Sequence, residues 1–197
     1  PLRCKTLLEL PRAAFGTVEP DTMRRLAALE GSGFAGVVAN NLAQFGYASP
    51  LPMFGGLGLN VTNPMSAAEY VCLGACGLLV QPETALTAMR AVAPRQKDGT
   101  PVPTAALCYG HLPLMLTRAC PLRNVRTSCA GCTHKGKLRD RKGRDFPVRC
   151  SAPGSAGMRT VFNPVPLYMG DRLTEMPVDL AVAAFTPVSY THLTLPT

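Results

Sequence analysis

The sequence predicts an α/β fold, a partial (β/α) TIM-type barrel carrying a Cys-rich basic loop insertion. Three observations predict it. Short apolar runs alternate with amphipathic segments along the chain, as in successive βα units. Apolar strand-like runs return every 20–30 residues, the spacing of barrel units. No G-x-G-x-x-G follows any of these runs, so the phosphate-binding turn of a doubly wound dinucleotide fold is missing. The 197 residues are 47% apolar and 16% charged, which supports a packed core and excludes a disordered tail or a coiled coil.

The elements follow in order. Thr6 to Leu10 reads as a strand, and Asp21 opens a helix through Met23, Leu26 and Leu29 that stops at Gly31 and Gly33. Gly36 to Ala39 is the next strand, Asn40-Asn41 supplies cap chemistry, and Leu42 to Tyr47 forms a short helical segment. A third strand covers Leu51 to Phe54. Asn63-Pro64 starts a helix with Ala67, Ala68, Val71 and Leu73 on its packed face, and Gly77 to Val80 is the fourth strand. Thr84 to Val92 reads as a helix and Pro103 to Tyr109 as a fifth strand, before an irregular segment rich in basic residues and cysteine. Phe146 to Arg149 and Arg159 to Phe162 read as short extended pieces, Pro166 to Thr174 as a helix, and Val178 to Phe185 as a closing strand. Five or six such units make part of a barrel that needs eight units and about 250 residues.

The expected native domain is 1–187, an incomplete barrel with a basic four-cysteine segment at 118–150. Val188 to Thr197 matches the translation of a transposase sequencing adaptor, so 188–197 is expected to be read-through. Ser189 and His192 then carry no mechanism. The chain opens at Pro1 without a leader pattern, and the missing N-terminal part of the same barrel is an expected partner. No stretch of about 18 apolar residues occurs, which predicts no membrane span. Cysteine usage without a secretory pattern predicts a cytoplasmic protein.

Charge is concentrated. Of a net +8, all is carried by residues 118–150, where Arg118, Arg123, Arg126, Lys135, Lys137, Arg139, Arg141, Lys142, Arg144 and Arg149 face only Asp140 and Asp145. Such a local potential suits a polyanion, and RNA is the partner expected through this segment.

Eight cysteines form two sets. Cys4, Cys72, Cys76 and Cys108 lie in or beside apolar runs and are expected as buried packing residues. Cys120, Cys129, Cys132 and Cys150 lie in the polar segment as C-x8-C-x2-C-x17-C, where a thiol has no core to fill. A C-x-x-C pair closes a tight turn that aims two thiolates at one ion, and the neighbouring cations offset the charge of a thiolate cluster. Four thiolates suit zinc or an iron–sulfur cluster, with His134 as an optional zinc ligand.

Several segments carry a family likeness together: Leu10-Pro11-Arg12, Gly58-Leu59-Asn60-Val61 with Asn63, Tyr109-Gly110-His111-Leu112-Pro113-Leu114-Met115, Cys120-Pro121, Asp140-Arg141-Lys142-Gly143, Phe146-Pro147-Val148, and Asn163 with Pro166-Leu167 and Asp171-Arg172. In combination they resemble the later half of peptidase family U32, the collagenase-like group, over roughly residues 6–186. The family more often has Asp where Gly56 stands and Arg where His111 stands. The resemblance implies a barrel and, in several members, a four-iron four-sulfur cluster held by cysteines. Those members take part in oxygen-independent hydroxylation of transfer or ribosomal RNA, or of a quinone precursor, whereas others are labelled collagen-degrading peptidases. The iron–sulfur reading is favoured, and zinc is the alternative.

Peptide hydrolysis is the less supported activity, because neither H-E-x-x-H nor G-x-S-x-G occurs. A third reading is a non-catalytic, zinc-stapled RNA-binding segment. In a barrel, the working face is the carboxyl end of the strands. His111 and Glu83 are the candidate proton-moving residues there. Asn40, Asn60, Tyr109, Arg141, Lys142 and Asn163 are the candidate substrate-binding residues.

Overall fold

A computed structural model describes residues 5–16, 18–123, 129–151 and 157–185. The chain divides into two units, Pro1–Leu107 with Arg172–Val182, and Cys108–Asp171 with Ala183–Thr197.

The first unit is built on parallel strands β1 (Leu7–Glu9), β2 (Gly36–Ala39), β3 (Met53–Gly55), β4 (Ala75–Val80) and the start of β5 (Thr104–Gly110). Each is hydrogen-bonded in parallel to the next, in chain order. That order marks an arc of a barrel, since a doubly wound sheet reverses its strand order at a switch point. Helices α1 (Val18–Ala27), α2 (Pro64–Cys72) and α3 (Leu86–Ala91) fill three of the crossovers, and a 3-10 turn, Leu42–Gly46, fills the fourth. Helix α1 begins three residues earlier than its sequence pattern predicts. On it only Leu26 is buried, while Asp21 pairs with Arg24 and Arg25 on the exposed side.

Local chemistry explains the starts. Asn63 caps α2 by accepting the Ser66 N–H at 2.9 Å, and Pro64 occupies the first helical position. Asn41 and Gln44 form a capping box on the 3-10 turn. The core gathers Leu10, Leu26, Val37, Ala39 and Met53, with Val61, Val80 and Ala106 fully buried beyond them.

The second unit corrects the expectation of an irregular insertion. Its strands β6 (Pro113–Thr117), β7 (Lys135–Arg139), β8 (Asp145–Cys150) and β9 (Arg159–Phe162) form an antiparallel sheet of order β6-β9-β8-β7. Part of the basic segment is thus regular structure. Residues 166–174 also differ from the helix expected there. They contain β10 (Leu167–Tyr168), antiparallel to the end of β5, and enter a 3-10 turn, Gly170–Glu175. Pro164 and Pro166 explain the extended start, since proline and the residue before it avoid helical geometry. The closing strand is β11 (Leu180–Ala184), which pairs with β5. No helix among the described residues is long and apolar enough to cross a membrane. Residues 1–4, 124–128 and 186–197 fall outside the described residues, and with them lie Cys4, Arg126 and the expected read-through tail.

Candidate metal centre

The antiparallel sheet decides where the four cysteines lie. Cys150 ends β8 and pairs with Arg159 at the start of β9, which in turn pairs with Thr117 at the end of β6. Strand β7 begins at the same end, because Lys135 pairs with Arg149. Cys120 follows β6 by three residues, and Cys129 and Cys132 precede β7. The backbone therefore brings all four to one end of one sheet, although 30 residues separate the first from the last.

Local bonds tie these segments down. Cys129 and Cys132 share a turn in which the Cys132 N–H donates to the Cys129 carbonyl at 3.1 Å, with Gly131 at φ +66°. His134 also lies in the left-handed region, at φ +60°, and its carbonyl accepts the Cys150 N–H at 2.9 Å. Gly136 has no β-carbon, and one built there would collide with the Leu122 side chain. That contact draws the segment carrying Cys120 across to β7. Cys120, Cys132 and Cys150 are half-buried and Cys129 is exposed. Among the described residues, no three His, Cys, Asp or Glu side chains form a group that would hold a metal ion. The donor chemistry and the backbone placement fit a thiolate-bound metal, and the side chains are not drawn together around a common point.

Arg159 was not singled out by the sequence. It is 4% exposed, and its Nη1 donates to the Arg118 carbonyl at 2.6 Å and the Gly157 carbonyl at 2.7 Å. A buried guanidinium is costly unless it is hydrogen-bonded, and these bonds pin the exit of β6 to the start of β9. The signal was a cation beside the apolar pair Val161 and Phe162 of a short strand.

Alternation sorts the basic residues. Lys135, Lys137 and Arg139 are exposed on one face of β7. Arg149 and Asp145 share that face, as the cross-strand partners of Lys135 and Arg139. Gly136, Leu138, Phe146, Val148 and Val161 point to the other, where Val148 and Val161 are buried. Asp145 accepts from Lys137 at 2.6 Å and from Arg139 at 2.7 Å. The Arg139 and Lys137 hydrogen bonds hold its carboxyl well below the usual carboxylate range, and Arg139 is raised in return by Asp145. Arg141 and Lys142 sit in the β7–β8 turn, where Asp140 accepts the Lys142 and Arg144 N–H groups at 2.8 and 2.9 Å. That turn lies one strand length, about 16 Å, from the cysteine end.

The remaining site residues are dispersed. His111, 8% exposed, bonds through Nδ1 to the Asn163 carbonyl at 2.7 Å, while Asn163 Oδ1 accepts the Leu112 N–H. Since a carbonyl only accepts, Nδ1 carries the proton in that bond. Tyr109 lies against Phe185 with ring centroids 5.9 Å apart. Asn40 is buried, donating to Glu9 and to the Leu10 carbonyl, both at 2.9 Å, and accepting the Gly58 N–H at 3.0 Å. Asn60, at φ 54°, accepts from Gln81, and Glu83 is exposed just after β4. Cys108 is buried as expected, whereas Cys72 and Cys76 are exposed. Cys72 ends α2, and Cys76 occupies an outward position of β4.

No protein-family model matches the chain, and no curated protein matches it. A solved structure of the U32 peptidase Mk0906 is similar over 54% of this chain and 47% of that one, at 15% identity and a TM-score of 0.42. The chain spans about half the length of that structure.

Proposed function

We propose that the chain is part of an iron–sulfur protein in which Cys120, Cys129, Cys132 and Cys150 hold the cluster and the basic face of the same sheet binds RNA. One observation carries this reading: the backbone brings four cysteines from a polar segment to a single sheet end. When bound, such a cluster supplies one-electron transfer. Arg159 fixes the segments on either side of the cluster-holding loops, and Gly136 leaves room for Leu122 beneath them. Lys135, Lys137 and Arg139, at about 6.7 Å between alternate positions of β7, supply cations for phosphate together with Arg149, which lies across from Lys135 on β8.

Together with the resemblance to family U32, this favours oxygen-independent hydroxylation of RNA over the same reaction on a quinone precursor, because a quinone offers no phosphate backbone to a cationic sheet. The collagenase-like peptidase reading stands second, because the sequence contains neither H-E-x-x-H nor G-x-S-x-G. The test is anaerobic reconstitution with iron and sulfide, followed by metal analysis. The expected product is coloured, with about four irons per chain. A colourless chain that takes up one zinc and no iron overturns the cluster and leaves the zinc-stapled segment in its place. RNA affinity is expected to fall with salt at a log–log slope near −3, about −0.7 for each of four phosphate contacts on a single strand. A slope near zero removes the RNA role.

A further inference from the structure

In the first unit a cleft of about 270 Å³ opens beside Thr104, the first residue of β5. Its apolar walls include Pro94, Pro101 and Pro177, which have no backbone N–H to offer a ligand. Its charged groups are Arg90, from the last turn of α3, together with Arg95 and Asp179.

Two of these groups are held in place by their own surroundings. Arg95 faces Pro101 across a β-bridge, the Val102 N–H donates to the Pro94 carbonyl at 2.9 Å, and Arg95 Nη1 donates to the Gly99 carbonyl at 2.9 Å. Asp179 Oδ2 accepts the Thr104 N–H at 2.7 Å and the Thr104 hydroxyl at 3.2 Å. Yet among the described residues neither Arg90 nor Arg95 forms an ion pair, with Asp179 or with any other carboxylate. One small cleft is thus lined by two arginines and one aspartate that do not neutralise each other directly.

We propose that this cleft binds a small zwitterion of the α-amino-acid class. The ligand carboxylate lies on Arg90 and Arg95, whose planar donor forks suit it. The ligand ammonium lies on Asp179, and an apolar side chain lies against the prolines. The volume is just below the range of about 300–1,000 Å³ typical of drug-sized ligands, which fits a molecule of this size. The proposal is independent of the metal centre, which belongs to the other unit.

The test is an amide-shift NMR titration of the full chain with each proteinogenic amino acid. The best binder is then compared with its N-acetyl and carboxamide derivatives. The expected result is saturable shifts at Arg90, Arg95 and Thr104 with an apolar amino acid, and at least about tenfold weaker binding, roughly 1.4 kcal/mol, when either charge is masked. Arg95→Gln and Asp179→Asn are expected to weaken binding by a similar factor, the asparagine keeping an oxygen for Thr104. Saturable shifts with none of the amino acids overturn the proposal, and so does binding that survives masking of either charge. The masked ligands use the unaltered protein, so the test holds even where a variant fails to fold.

Discussion

Asn40 illustrates how contacts account for a polar residue at the end of a barrel strand. Its side chain joins Glu9, the Leu10 carbonyl and the Gly58 N–H, and β-carbons at Gly56 or Gly58 would strike it. Asn40→Ala leaves buried polar groups unpaired and is expected to cost about 2–3 kcal/mol, read as a lower urea midpoint. An unchanged midpoint with a specific loss of substrate affinity would return Asn40 to the binding role suggested by the sequence. Asp145 yields a pH prediction. Its folded pKa lies below the ordinary value of 3.8, so its contribution is present above about pH 4 and is lost as pH falls through the folded value. Thermal melts of the wild type and Asp145→Asn are expected to differ at pH 7 and to converge in strong acid, and a gap that stays constant with pH removes the effect. Residue types were legible at this scale, but pairings were not. His111 and Asn163 both stood out in the sequence, yet nothing local showed that residues 52 apart would bond.

At the scale of elements, the parallel strands were legible because burial on both faces leaves continuous apolar runs such as Leu78 to Val80. The β7–β8 hairpin was harder to read. Its Lys-Gly-Lys-Leu-Arg pattern has the period of a strand, but lysine and glycine are poor strand formers, and Pro147 sits within β8. Cross-strand pairing and the Asp145 ion pairs favour the extended form over the loop that propensity suggests. The hairpin also supports the cysteine end, which leads to a packing prediction. Gly136→Ala is expected to displace Leu122 and the Cys120 segment, costing about 1–3 kcal/mol by overpacking and lowering metal uptake. Adding Leu122→Ala should restore much of that uptake. Full uptake by the single variant would mean that Leu122 does not position Cys120.

At the scale of the whole chain, strand order defines the first unit and cysteine placement the second. Parallel neighbours in chain order could be anticipated from the βα rhythm, since each crossover returns the next strand beside the last. The antiparallel sheet could not, because it depends on pairings such as Thr117 with Arg159, 42 positions apart. Those pairings bring the backbone segments that carry the four spaced cysteines to one end of the sheet. On the proposed reading Cys120, Cys129, Cys132 and Cys150 share one metal centre, which single serine substitutions probe one ligand at a time. After anaerobic loading, each of these four variants is expected to lose most of its bound metal, while Cys72→Ser and Cys76→Ser retain it. Metal retained by the four variants, or lost equally from the two exposed controls, rules out a shared centre at these cysteines.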